Sequence, residues 1–121
     1  MRVLQTIASF GSHDGGTSTC TYDLLSTINR IGYSTDLLTL QSADLMGNGE
    51  VWMKVLSNDA ITPYGYSRNI QRFLAQSDYE LYHTNGMWLY CNHVTCRIAR
   101  KKNRPYIITP HGMLYPQALA R

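Results

Sequence analysis

The sequence has no long apolar run, and so offers no candidate transmembrane helix. Its opening, Met1-Arg2-Val3-Leu4-Gln5-Thr6-Ile7-Ala8, is too short and polar for a secretory signal and reads as a strand. Cysteine is scarce. Three residues, an odd number and widely spread, exclude a disulfide framework and fit a reducing cytoplasm. Charge of one sign is scarce too: eleven Lys and Arg against eight Asp and Glu leave +3, too mild to call for a nucleic-acid partner. Internal repeats, low-complexity tracts and a domain linker are all lacking. So are a nucleophilic triad and an Asp-x-Asp pair for a metal-held diphosphate. What is there is 121 residues, 44% hydrophobic and 16% charged, the size and make-up of one small globular domain.

The apolar residues alternate between two periodicities. Residues 2–8 read as a first strand. A glycine-rich turn follows, Gly11-Ser12-His13-Asp14-Gly15-Gly16, and Thr17 or Ser18 can cap a helix. Leu24, Leu25, Ile28 and Ile31 recur at helical spacing, and Gly32 is a natural stop. Residues 35–40 read as a second strand, 41–50 as a loop and 51–56 as a third strand. After the turn Thr62-Pro63-Tyr64-Gly65, the residues Tyr66, Ile70, Phe73 and Leu74 predict a second helix. Residues 79–83 read as a fourth strand, broken by Asn85-Gly86. Residues 87–102 read as a third helix with Tyr90, Cys91, Val94 and Ile98 inward, and 104–109 as a fifth strand. This alternation predicts an α/β fold: a Rossmann-like parallel sheet with helices on both faces, ordered 3-2-1-4-5. The end, Gln117-Ala118-Leu119-Ala120-Arg121, reads as the first turn of a helix without continuation, so the chain reads as part of a longer protein.

Three segments carry candidate chemistry, all past the carboxyl ends of predicted strands, where open parallel sheets bind ligands. The first is the glycine turn. Gly11, Gly16 and Ser18 match the outline of a phosphate-binding loop, but Thr17 takes the place of its lysine. The dinucleotide fingerprint fails as well, because Ser12-His13 interrupts it and Leu38-Thr39-Leu40 ends the second strand without an acid. Gly15, Gly16 and Thr17 are left either as a tight strand–helix turn or as a backbone cradle for an anion at a helix N-terminus. The second segment is His83-Thr84-Asn85-Gly86-Met87-Trp88. Asn85 can bond a hydroxyl-rich ligand and Trp88 can stack on a sugar ring; alternatively, Asn85-Gly86 makes the turn and Trp88 packs in the core. The third is Thr109-Pro110-His111-Gly112-Met113-Leu114. His111 is either a turn residue or an imidazole held at the crevice.

Two further clusters have plainer readings. Cys91 and Cys96 invite a zinc reading, but five residues on a helix turn side chains about 140° apart, so the pair does not share a metal. The run Arg97, Arg100, Lys101, Lys102 and Arg104 complements a helix C-terminal dipole, or meets a phosphate or an anionic lipid.

Taken in order, these pieces resemble the N-terminal half of glycosyltransferase family 4, retaining enzymes of the GT-B fold. Arg2-Val3-Leu4 opens the chain and Gly15-Gly16 opens the helix. Arg30-Ile31-Gly32-Tyr33-Ser34-Thr35 resembles the family's Gly-His-x-Val entry to the second strand. The stretch from Asp78 to Gly86 resembles its Asp-(Ile/Val)-(Ile/Val)-His-x-His-Gly, with Asn85 where histidine is usual. The closest match runs from Arg104 to Leu114 and contains Thr-Pro-His-Gly-Met-Leu.

The resemblance implies that residues 1–121 are part of an N-terminal Rossmann-like domain. The C-terminal donor-binding domain, with its Glu-x7-Glu motif, lies outside them. It implies transfer of a sugar from a nucleotide-sugar donor to a glycan or lipid-linked acceptor, with retention, in polysaccharide biosynthesis. His111 inherits the contact near the reaction centre. Gly15, Gly16 and Thr17 approach the donor diphosphate, and Asn85, Gly86, Trp88 and Gly112 lie on the acceptor and sugar side. No metal or other cofactor is expected; the nucleotide-sugar is a substrate. The expected setting is the cytoplasm, with peripheral contact at the inner face of the membrane. A homodimer through an exposed sheet edge near residues 104–114 is also expected. Two other readings stay open: a GT-B-like sugar-nucleotide epimerase and a non-catalytic interaction domain.

Overall fold

A computed structural model describes residues 1–11, 16–47 and 50–110. Five strands, β1 (Arg2–Thr6), β2 (Ser34–Leu40), β3 (Met53–Leu56), β4 (Leu81–Asn85) and β5 (Tyr106–Thr109), form one sheet in the order β3-β2-β1-β4-β5. Every pairing is parallel. The helices are α1 (Gly16–Arg30), α2 (Arg68–Gln76) and α3 (Tyr90–Lys101). This is the α/β Rossmann-like order that the alternation predicts.

Side-chain alternation along each strand divides the core into two layers. Leu4, Leu38 and Tyr82 point to one face and pack with Ile70 and Leu74 of α2 and with Tyr90, Val94 and Ile98 of α3. Leu37 and Met53 point to the other and pack with Ile7, Phe10, Trp52 and Leu25 of α1. Neighbours Leu37 and Leu38 thus serve opposite layers, and helices cover both faces.

Several boundaries differ from the sequence expectation. In α1 the buried line runs through Ser18, Thr21 and Leu25, while Leu24 and Ile31 are exposed. Leu24 and Ile31 are seven residues apart and share one side of the helix, about 100° round from Leu25. Small polar residues occupy the contact line, so the apolar stripe does not mark it. Asn29 laces the end of α1 to the start of β2: its Nδ2 donates to Leu25 O at 2.8 Å and Thr35 O at 2.9 Å, and its Oδ1 accepts from Thr35 N. Gly32, at φ +102°, turns the chain between them. Tyr66 lies outside α2, which starts after its cap Ser67. The fourth strand starts two residues later than expected and includes Asn85. Tyr79 is drawn instead to the amino end of the sheet, where its hydroxyl donates to Asp36 Oδ2 at 2.6 Å and its ring carries the Arg2 guanidinium at 4.6 Å. Burial and the Asp36 carboxylate push the Tyr79 phenol above its ordinary range.

The start of α2 carries a pH-sensitive contact. Ser67 Oγ accepts from Ile70 N and donates to Asp59 Oδ1, whose other oxygen accepts from Asn69 N at 3.1 Å. The Ser67 bond, with help from backbone N–H groups, holds the Asp59 carboxyl below its ordinary value of 3.8. Folding therefore favours the carboxylate. Its stabilisation is complete above the unfolded value and is lost as pH falls through the lower folded value. Thermal melts between about pH 2 and 6 are expected to show a decline at the acid end that is smaller in Asp59→Asn; parallel pH profiles for both proteins would contradict this.

Candidate active site

β1 pairs with β2 on one side and β4 on the other, so the winding changes direction there. Crevices at such switch points open past the carboxyl ends of the strands. The edges here are the segment after Thr6, the first turn of α1 at Gly16, the turn after Asn85, and Pro110 beyond β5.

Under this crevice lies a buried polar network that the sequence reading missed. Thr6 Oγ1 donates to Thr84 Oγ1 at 2.9 Å and lies 2.9 Å from Thr95 Oγ1. Asn92 Nδ2 donates to Thr84 Oγ1 at 2.8 Å and to Asn85 O at 3.0 Å, and its Oδ1 accepts from Leu89 N at 3.2 Å. One α3 side chain therefore pins both ends of the β4–α3 turn. Thr6, Thr84, Asn92 and Thr95 are all buried, so each of these bonds is shielded from water. Three other buried hydroxyls, Ser18 Oγ and Ser26 Oγ of α1 and Thr39 Oγ1 of β2, have no hydrogen-bond partner among the described residues.

The opposite face of β1 and β4 carries a second set. Asn85 Nδ2 donates to Gln5 Oε1 at 3.1 Å and Thr6 O at 3.3 Å, and His83 Nε2 is 2.6 Å from Thr109 Oγ1. Asn85 is buried, with its amide nitrogen committed to β1. Gly86 follows at φ +109°, a conformation that suits glycine alone, and its N–H donates to Thr109 O at 2.8 Å. The Asn85-Gly86 pair thus ends β4 and binds it to β5. Trp88 lies outside both core clusters, its side chain 54% exposed beside the turn.

Of the remaining candidates, Gly16 is the first residue of α1, and Thr17 follows it in the first turn. Gly15, His111 and Gly112 lie outside the described residues. Cys91 is fully buried, and burial pushes its thiol up to about 12; Cys96, five residues on, is half-buried. A cavity of about 510 Å³ between α1 and the approach to β3, lined in part by Tyr22, Asn29, Arg30 and Trp52, lies on the flank of the sheet rather than at the crevice.

A doubly wound all-parallel sheet whose winding reverses at β1 defines the class: a Rossmann-like α/β domain. The family follows from comparison. A model of the glycosyl transferase 4-like domain matches residues 15–121, and the chain belongs to that family. Comparisons with curated proteins and with solved structures give no match. Among the described residues, no helix is long and apolar enough to cross a membrane.

Proposed function

We propose that the chain is the acceptor-side part of a glycosyltransferase that moves a sugar from a nucleotide-sugar to a glycan or lipid-linked acceptor with retention. The observation that carries this reading is the family match over residues 15–121, on a sheet whose switch point opens between β1 and β4. In this reading the turn at Gly15, Gly16 and Thr17 offers backbone N–H groups and a helix N-terminus to the donor diphosphate, whose negative charge grows as the sugar leaves. The Ser18 hydroxyl, which has no partner among the described residues, lies in the same first turn. The same reading assigns His111 to the reaction centre and Gly112 to the acceptor and sugar side. Gly86 leaves room for an acceptor hydroxyl, Asn85 holds that turn in place, and Trp88 offers an aromatic face to a sugar ring.

The test is a screen of the full-length protein against nucleotide-sugars and candidate acceptors, with the anomeric configuration of the product read by NMR. One donor class is expected to give transfer with retention. The 121-residue chain alone is expected to give none, because the reaction depends on holding donor and acceptor together. Interconversion of donor epimers without transfer would assign the epimerase reading, and inertness towards every donor would leave only an interaction domain.

A further inference from the structure

The C-terminal half of α1 carries a polar stripe that the proposed reaction leaves unused. Asp23, Ser26, Thr27 and Arg30 follow one another at i, i+3, i+4 and i+7, which sets them on one side of the helix. All four line the cavity of about 510 Å³ on the flank of the sheet, a size within the usual range of small-molecule sites. Ser26 is ten residues beyond Gly16, about 15 Å along the helix from its N-terminal end. The cavity is therefore a separate place from the crevice.

The stripe is not spent on the fold. Asp23, Thr27 and Arg30 are exposed, and their side chains have no partner among the described residues. Asp23 and Arg30 are about 10 Å apart along the axis, too far to pair with each other. Ser26 Oγ is buried without a partner among the described residues, a cost that a ligand hydroxyl would remove. Asn29, by contrast, has both ends of its amide committed to Leu25 and Thr35, and serves as wall. The rest of the lining is aromatic. The half-buried Tyr22 ring lies 5.8 Å from the buried Trp52 ring, at 51° to it. Its hydroxyl donates to Glu50 Oε1 at 3.1 Å, and Glu50 Oε2 has no partner among the described residues.

We propose that this cavity binds a neutral oligosaccharide, with sugar hydroxyls on Asp23, Ser26, Thr27 and Arg30 and a sugar C–H face on the Tyr22 ring. The lining selects against other ligands. Two carboxylates, Asp23 and Glu50, outnumber one guanidinium, so a phosphate is repelled. Tyr22 and Trp52 tilt against each other, which leaves no parallel slot for a nucleobase. No cluster of His, Cys, Asp and Glu among the described residues could hold a metal ion. Sugar hydroxyls both donate and accept, so they use the acid, the base and the two hydroxyls together. Joined to the reaction proposed above, on which this one step rests, the site tethers a glycan acceptor and raises its effective concentration at the crevice. Binding itself needs neither donor nor turnover.

The test is fluorine NMR of the full protein labelled with fluorotryptophan, the Trp52 resonance being identified by its loss in Trp52→Phe. Trisaccharides of glucose, mannose, galactose and N-acetylglucosamine are titrated in turn into the millimolar range. At least one is expected to move the Trp52 resonance to saturation. The double variant Asp23→Ala, Arg30→Ala should raise Kd about tenfold or more, the scale of losing one charge-assisted hydrogen bond. Its melting curve should match the wild type, because neither side chain has a partner to lose. Arg68→Gln, on α2, should leave Kd unchanged. A Trp52 resonance unmoved by every trisaccharide, movement of the Trp88 resonance alone, wild-type Kd in the folded double variant, or tighter binding of inorganic phosphate or adenosine would each overturn the proposal. A protein that transfers sugar yet fails these titrations loses only this site; one that binds here without transferring loses only the reaction.

Discussion

His111→Ala is expected to lower kcat of the intact enzyme by on the order of 10² or more, the usual scale for removing one well-placed polar group beside developing charge. The motive is positional. β5 ends at Thr109 and Pro110 stops its ladder; His111 is the next residue in sequence, and the proposed reading gives it to the crevice past the carboxyl ends of the strands. As sugar and diphosphate separate, charge develops on both, and a side chain at that point acts on the transition state more than on the bound substrate. The loss should therefore appear in kcat rather than in KM alone. Stability should change little, since His111 lies past the end of the strand ladder. Steady-state kinetics with a thermal melt checks both; normal turnover by a folded His111→Ala enzyme would reduce this histidine to a turn residue.

Asn92→Ala is expected to cost about 2–4 kcal/mol, because it strips three buried or half-buried groups at once. Thr84 Oγ1 would keep only its bond from Thr6, and the Asn85 carbonyl and the Leu89 N–H would lose their side-chain partner. Leu89 caps α3 with a side chain that has no acceptor, so the Asn92 amide oxygen is what meets its N–H. A fall in Tm of roughly 10 °C follows for a chain of this size. The β4–α3 turn carries Gly86 and Trp88, so faster hydrogen exchange should appear there first. An unchanged Tm would mean that water replaces the amide without loss.

The architecture was legible because it rests on apolar spacing. The strand runs around Leu37-Leu38 and Ile107-Ile108, and the helical recurrence of Tyr90, Val94 and Ile98, mark elements whose alternation admits few topologies. What was not legible rests on small polar residues. Ser18 and Thr21 line the contact face of α1, and no apolar stripe reveals them. Thr6, Thr84 and Thr95 meet only because β1, β4 and α3 come together from positions 78 to 89 residues apart. In sequence Asn92 reads as a spacer between Cys91 and His93, yet it organises the crevice turn. Of the site, the turn at Asn85-Gly86 was legible as a strand end, since glycine answers a need for positive φ. The engagement of the Asn85 amide nitrogen by Gln5 and Thr6 was not, because it depends on which face of β4 the side chain takes.

The central place of β1 also bears on the birth of the chain. Ribosomes deliver residues in order, at about 5–20 per second. Residues 2–6 emerge before the other strands and can pair with β2 once residue 40 is out, but their other edge waits for β4. Thr6 and its partner Thr84 are 78 residues apart, roughly 4–16 s of synthesis at that rate. For the part of that interval after residue 40, roughly 2–9 s, a nascent β1–α1–β2 unit shows a bare strand, with Leu4 and Thr6 lacking their final cover from α3. It is a natural client for a holding chaperone, and a pause in translation shortly before residue 81 would lengthen the exposure.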